Sequence, residues 1–389
     1  MKILNLSPYW VYPANTGGSL RIYNLNKEIS RVFEITQHSF RPRISSGYIF
    51  RSRTIKINDN YFEHQHSNKM MLASSFLLYK LHLPPDVLQS KILSINKFFL
   101  NKKFLRGDII QIEHPWLFEF ARNYFKDKPL VFVAHNVETR LISDLIFKRA
   151  PFFKRLIPKF QEIEIKAARE CELIFTVSKL DLEFFRKYKI EKRKMHVIPN
   201  GVDCGKYEIT ESHEKNLYKR KLGFPLKKIV LFVGSDHYPN REAVKFIKKF
   251  AEDNKDLLFL VVGEVGRNLQ SNHNIIFTGP VKNLMPYLKA SDIAINPLLS
   301  GSGTNLKMLE YLASGLPTIT TEIGNRGFNF KHDKEVIVSE IDQFTDYLNQ
   351  LKDETSICEN LIINGRKKVE KEYDWKVIAQ KAVKCYNKL

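Results

Sequence analysis

Cysteine is scarce in this chain, four among 389 residues. Cys171, Cys204, Cys358 and Cys385 are scattered with no C-x-x-C pair, which excludes a disulfide framework and a thiolate zinc site and leaves four reduced structural thiols. No run of eighteen apolar residues occurs, so no membrane-spanning helix is expected. The opening MKILNLSPYW passes from a strand pattern into a Pro/Gly loop without an apolar leader core, and the expectation is a cytoplasmic protein. A G-x-G-x-x-G fingerprint is missing, so a dinucleotide cofactor is not indicated. Acidic residues are also short: 42 stand against 62 Lys and Arg, a net charge of +20. Residues 1 to 205 carry 34 basic against 19 acidic side chains, a balance of +15, and the remainder only +5. A basic half can meet nucleic acid, anionic lipid or an anionic substrate. With no RNA-recognition signature and no zinc finger, nucleic acid ranks last.

What is present is enough chain for two Rossmann-sized domains and one block that reads as a ligand site, NPLLSGSGTNLKMLEYLASGLPTITT from Asn296 to Thr321. The β-like run Ile293 to Ile295 stops at Pro297, a small-residue loop follows at Gly301, Ser302, Gly303 and Thr304, and a helical pattern begins after Asn305. Such a loop hands its backbone N–H groups to a helix N-terminus, where partial positive charge and orphan donors favour an anion. Lys307 in the first turn adds a formal charge. Glu310, three residues on, shares its face and can accept from a vicinal diol. Phosphate plus diol describes a nucleotide, although Lys307 and Glu310 also have the spacing of an ordinary surface pair. Gly315 and Pro317 close the helix before a β-branched run, Thr318 to Thr321.

The rest of the chain alternates. Lys2 to Leu6 reads as a strand, Ser7 to Gly18 as a loop whose Gly17 and Gly18 allow close backbone approach, and Ser19 to Arg31 as a helix. Residues 40 to 105 are the least legible, apart from two basic, aromatic-bearing stretches, Phe40 to Lys56 and Lys91 to Arg106. Strands are expected at Ile109 to Ile112, leading to Glu113 and His114, and at Leu130 to Ala134, leading to His135. His135 therefore sits where open α/β sheets build their sites, which is also a place for a structural histidine. Leu141 to Lys159 interleaves Phe with Lys and Arg. LIFTVS and MHVIPNGVD follow, and then a charged linker, about Asp203 to Pro225. IVLFVG, a helix from Asn240 to Asp253, LLFLVVG, IIFTG and IAINP form a second alternating set of continuous apolar strands, the pattern of a parallel sheet covered on both faces.

Gly301, Gly303, Lys307, Leu309, Glu310, Ala313, Gly315 and Pro317 resemble the donor-binding signature of the retaining glycosyltransferases of family 4, in the variant G-x-G-x-x-x-K-x-L-E-x-x-A-x-G-x-P. PANTGGSLRIYNL, AHNVE, TVS, VIPNGVD, LFVGS and FTGPV resemble the family's other motifs, in the same order. The resemblance implies an α/β, GT-B architecture: two Rossmann-like domains with parallel sheets facing each other across a cleft. The acceptor-side domain would span 1–205, with the closing helix 376–389 packed back on it, and the donor domain 206–375. His135 would reach the donor sugar and reacting centre, so His135, Lys307 and Glu310 are the catalytic candidates. Gly17, Gly18, Ser235, Arg241, Gly279, Val281, Gly301, Ser302, Gly303, Thr304 and Asn305 join Lys307 and Glu310 as donor-binding candidates.

The activity implied is transfer of a hexose from a nucleoside diphosphate sugar, UDP-linked, to an acceptor hydroxyl with retention, in cell-surface polysaccharide or glycolipid synthesis. The resemblance implies no cofactor and no metal; the missing Asp-x-Asp pair argues the same way. Expected partners are the nucleotide sugar, a lipid-linked or saccharide acceptor and an anionic membrane surface, with the protein peripheral on the inner membrane. Two departures stand out. Ser302 occupies the position of the first Glu of the family's E-x7-E fingerprint, and GSDHYPNREAV lacks the usual diphosphate-binding Arg and Lys, leaving Arg241 as a substitute. Two rivals stay open: a sugar-nucleotide epimerase, which shares the two-domain fold and needs no acceptor, and a non-catalytic sugar-nucleotide or lipid-binding protein, the reading that both departures favour.

Overall fold

The computed structural model describes residues 1–41, 51–95, 105–301 and 303–389. The chain divides into two compact units, Met1–Pro199 together with Ile378–Leu389, and Asn200–Val377. The first cut falls ahead of residue 205 because Val202 is bridged to Asp374 within the second unit, its N–H donating to the Tyr373 carbonyl at 2.9 Å.

The first unit is built on eight strands: β1 (Lys2–Ser7), β2 (Glu34–Ser39), β3 (Arg53–Asn58), β4 (Tyr61–Gln65), β5 (Ile109–Glu113), β6 (Leu130–Ala134), β7 (Leu173–Thr176) and β8 (Met195–Val197). Their order is β3-β4-β2-β1-β5-β6-β7-β8, and every pairing is parallel except β3 on β4. That antiparallel edge is a departure from the all-parallel reading. It arises from the hairpin of residues 53–65, in the stretch the sequence left illegible. β5 and β6 are buried throughout because helices cover both faces of the sheet; β6 is an unbroken apolar run, whereas β5 buries Gln111 and Glu113 among its isoleucines. Phe132 and Ile112 at the centre are wholly buried, each stabilising the fold by about 1.5–3 kcal/mol relative to exposure. Between β1 and β2 the helix Gly17–Ile29 begins with a capping box between Thr16 and Ser19 and buries Ile22, Leu25 and Ile29 at helical spacing. The chain's last residues complete this unit: Tyr386 donates its hydroxyl hydrogen to Gln111 and sets its ring edge-on to Phe33 and Phe175.

The second unit carries β9 (Ile229–Val233), β10 (Leu258–Val262), β11 (Ile275–Gly279), β12 (Ile293–Asn296), β13 (Thr318–Thr320) and β14 (Ile337–Val338), all parallel, in the order β11-β10-β9-β12-β13-β14. The expected linker, about Asp203 to Pro225, is instead part of this unit. It forms the helix Ser212–Lys221, whose Lys219 is 4% exposed and donates to Asp292 at 2.7 Å, while Tyr218, Leu222 and Phe224 pack on the core. The charges that made it look solvated include one buried ion pair.

In both sheets the strand order reverses beside the first strand of the unit, at β1/β5 and at β9/β12, so each unit has a crevice at the carboxyl ends of those strands. No helix among the described residues is long and apolar enough to cross a membrane. The four cysteines are free, three of them buried. Of the two basic stretches, residues 42–50 and 96–104 lie outside the described residues, as does Ser302.

Candidate active site

In the first unit the carboxyl ends of β5 and β6 bring together Glu113, His114 and His135. His135 Nε2 lies 2.6 Å from Glu113 Oε2, and Glu113 Oε1 accepts from Asn5 at 3.0 Å and from Gln111 at 2.6 Å. The His114 and His135 rings stack at 4.4 Å, inclined by only 5°. His114 in turn binds Glu138 through Nδ1 at 2.8 Å and the Tyr9 hydroxyl through Nε2 at 3.3 Å. Its backbone φ of 72° is a strained conformation for a side-chain-bearing residue, costing about 1–3 kcal/mol, of the kind that collects at functional sites. Burial pulls the His135 pKa down to about 4, and the neighbouring His114 pushes the same way. His114 itself goes up, because Glu138 outweighs its burial. The stacked pair is thus one neutral ring on one that favours its proton.

Gly17 and Gly18 open the helix Gly17–Ile29 beside this cluster. A Cβ on Gly18 would stand 2.3 Å from the Tyr9 hydroxyl oxygen and 4.0 Å from His135 Nδ1, so only glycine fits without displacing Tyr9. Arg21, on the same helix, is buried and donates to the carbonyls of Ile198 and Pro199 at 2.6 and 2.7 Å, which ties the loop to the end of the unit.

In the second unit Lys307 and Glu310 lie in the helix Leu306–Ala313, behind Asn305 as its N-cap residue. They are not the ordinary surface pair. The Lys307 ammonium donates to Asn240 Oδ1 at 2.9 Å and sits 4.1 Å over the Phe232 ring. Asn240 is oriented by donating to the Ser235 carbonyl at 2.9 Å. Burial pulls the Lys307 pKa down to about 7, against the opposing pull of Glu310. The Glu310 pKa is raised by burial, and its carboxylate accepts from Tyr207 at 3.2 Å. Gly315 takes the left-handed φ of 69° that ends the helix.

The other donor candidates surround this helix unevenly. Gly301 has φ 130° and accepts from Arg326 at 2.6 Å, Thr304 accepts from Asn200 at 2.6 Å, and Asn305 donates to the Gly324 carbonyl at 3.0 Å. Gly303 and Ser235 are exposed and Val281 half-buried. The Gly279 carbonyl is already taken by the Gly263 N–H and the Thr278 hydroxyl. Arg241 donates through Nε and Nη2 to the Asp236 carboxylate, at 2.5 and 2.7 Å, and lines a groove of about 470 Å³ together with Lys245, Lys248 and Arg267. Its charge is committed to a neighbour five residues away, which weakens it as a replacement for the missing diphosphate-binding pair.

Sequence reasoning missed Glu113, His114, Asn240 and Tyr207 as parts of these sites. Glu113 and His114 were visible as polar residues directly after an apolar strand. Asn240 and Tyr207 carried no local signal, since their partners lie 67 and 103 residues away.

Residues 77–206 match the family model Glycosyltransferase Family 4, and residues 227–354 match Glycosyl transferases group 1. The UDP-Gal:α-D-GlcNAc-diphosphoundecaprenol α-1,3-galactosyltransferase of Escherichia coli is 26% identical over 53% of this chain and 59% of its own length. An uncharacterised 44.6 kDa protein of the Klebsiella pneumoniae cps region is 22% identical over 97% of both chains. Among solved structures, the sucrose-phosphate synthase of Thermosynechococcus elongatus aligns over 100% of this chain and 99% of its own, with a TM-score of 0.75 at 13% identity. The Anabaena protein HepE, solved with UDP-glucose, aligns over 100% of both chains with a TM-score of 0.67 at 15% identity. With one family model on each unit and GT-B structures matching the whole length, the chain belongs to the group 1, family 4 glycosyltransferases of GT-B fold.

Proposed function

We propose that this chain transfers a hexose from a UDP-linked sugar to the hydroxyl of a lipid-linked saccharide acceptor, with retention at the anomeric carbon and without a metal ion. The observation that carries the reading is Lys307: a half-buried ammonium, held by Asn240 at the start of a helix, with Glu310 one turn on. A diphosphate at that helix start would meet the ammonium and the loop N–H groups, and a ribose diol would meet Glu310. Charge developing on the leaving diphosphate would be stabilised there electrostatically, which is the role a metal fills in other enzymes. His135 serves the transferred sugar, as the resemblance implies.

The choice of UDP and of a polyprenyl-linked acceptor draws on the E. coli relative, whose name carries both, and on HepE. Docking on the inner membrane is supported by the basic first half and by a surface of the first unit. There Phe76, Leu77 and Tyr79 on the helix Lys69–Lys80, and Phe147 and Phe152 near Lys148, Arg149 and Lys154, stand exposed over a small cluster of Leu78, Trp116, Ile146 and Phe160. Polysaccharide or glycolipid synthesis is the corresponding pathway class.

The test is acceptor-dependent release of UDP by the purified protein, with UDP-galactose, UDP-glucose and GDP-mannose as donors and a diphosphoprenyl saccharide as acceptor, repeated in EDTA. Release that requires acceptor, survives EDTA and yields an axial α-linkage by NMR is expected. Interconversion of the sugar nucleotide without acceptor would replace transfer by epimerisation.

A further inference from the structure

Glu113 is 2% exposed and accepts three hydrogen bonds, from Asn5, from Gln111 and from His135 Nε2. Burial pushes its pKa up, but the bonds from His135 and Gln111 and the charge of Arg21 outweigh that and hold the carboxyl ionised. An ionised carboxylate only accepts, so at 2.6 Å the shared proton belongs to His135 Nε2. A neutral imidazole with its proton on Nε2 carries a lone pair on Nδ1.

That lone pair has no partner. His135 Nδ1 is buried and makes no hydrogen bond among the described residues. An unmet acceptor in the interior is costly, and a hydroxyl brought to Nδ1 would relieve that cost. The atom faces the place where a Gly18 side chain would be, 4.0 Å from that absent Cβ, with the Tyr9 hydroxyl against the same position. Tyr9 is only half-buried, and its hydroxyl touches His114 Nε2 at 3.3 Å. His114 cannot compete for Glu113, being paired with Glu138 on its far side.

We propose that Glu113 is a positioning residue, which fixes His135 as the Nε2–H tautomer and so presents Nδ1, beside the Gly17–Gly18 loop, as a hydrogen-bond acceptor for a hydroxyl of the transferred sugar. The identity of the ligand rests on the glycosyl-transfer reading; the tautomer does not. Replacing Glu113 by glutamine keeps the shape but offers an amide that can donate to Nε2, which moves the ring proton to Nδ1 and turns the acceptor into a donor.

Two measurements test it. Long-range ¹H–¹⁵N correlation spectra of histidine-labelled protein, assigned with His135→Asn, should show His135 in the wild type with Nε2 protonated and Nδ1 bare between pH 6 and 8. Glu113→Gln should populate the Nδ1–H form, and Glu113→Asp should retain the wild-type form. A wild-type His135 that is doubly protonated or protonated on Nδ1, or a ring unchanged in Glu113→Gln, overturns the proposal. In turnover, Glu113→Gln should lower kcat by about 100-fold with UDP affinity within about twofold, and Glu113→Asp should recover a part of it. An unchanged kcat in a folded Glu113→Gln protein also overturns it. If the wild type turns over no nucleotide sugar, the glycosyl-transfer reading fails, while the spectra still decide the role of Glu113.

Discussion

The Lys307 ammonium lies 2.9 Å from the Asn240 side-chain oxygen and 4.1 Å above the Phe232 ring, without a carboxylate in ion-pair contact among the described residues. Its desolvation is therefore answered by a dipole and a ring face, and an incoming diphosphate would supply the missing counter-charge. Lys307→Ala should weaken UDP binding by about 1.5–3 kcal/mol, the worth of a charge-assisted contact, while leaving the fold intact. Calorimetry with UDP and GDP reads this, and unchanged affinity for both would remove the donor assignment. Glu310→Ala should weaken the same binding through the ribose.

The depressed Lys307 pKa fixes a pH dependence. Between about 7 and the ordinary 10.5 the folded protein binds fewer protons here than the unfolded chain, so the cost of this lysine to stability is full below about 7 and relieved as pH rises. Lys307→Met should accordingly melt higher than the wild type at pH 6, with the gap closing toward pH 10. A bound diphosphate reverses the shift, so UDP binding at pH 8.5 should take up protons. Titrations in buffers of different ionisation enthalpy measure that uptake, and an absence of buffer dependence would contradict it.

His135→Ala should lower turnover by about 100- to 10,000-fold and donor affinity far less, because a group at the reacting sugar acts mainly in the transition state. Steady-state kinetics at saturating donor separates the two. A mutant with normal turnover makes His135 a structural residue.

Anionic vesicles should bind the protein reversibly. Each basic side chain near such a surface contributes about 1 kcal/mol, weakened by salt, and exposed Phe147 and Phe152 add a part that salt does not remove. Co-sedimentation of wild type and of Phe147→Ser/Phe152→Ser at two salt concentrations reads both parts. Equal partition onto neutral and anionic vesicles would leave the charge to a soluble anionic acceptor.

Strands were legible wherever the chain runs continuously apolar between loop signals, as at Leu130–Ala134 and Ile293–Ile295, because a parallel strand covered on both faces favours apolar side chains at successive positions. Lys307 and Glu310 were legible because one helix turn places them. The hairpin β3–β4 was not, since its half-buried residues alternate with charges and read as loop. Nor was the helix Ser212–Lys221, where burial of Lys219 depends on Asp292, 73 residues further on. Glu113 was visible as a residue and invisible as a partner, since only the β5–β6 pairing sets it beside His135.

Strand β3 has one further consequence. Among the described residues it is an outermost strand of its sheet, with one side of its backbone unpaired by any other strand, a template on which an extended segment could add. Arg53 and Lys56 stand on that strand, the former donating to Gln65 at 2.7 Å and the latter exposed and paired with Asp59 at 2.7 Å, and a segment approaching in register would have to strip water from the Lys56 charge. The reversed, charged border thus makes sheet-to-sheet joining at this edge costly.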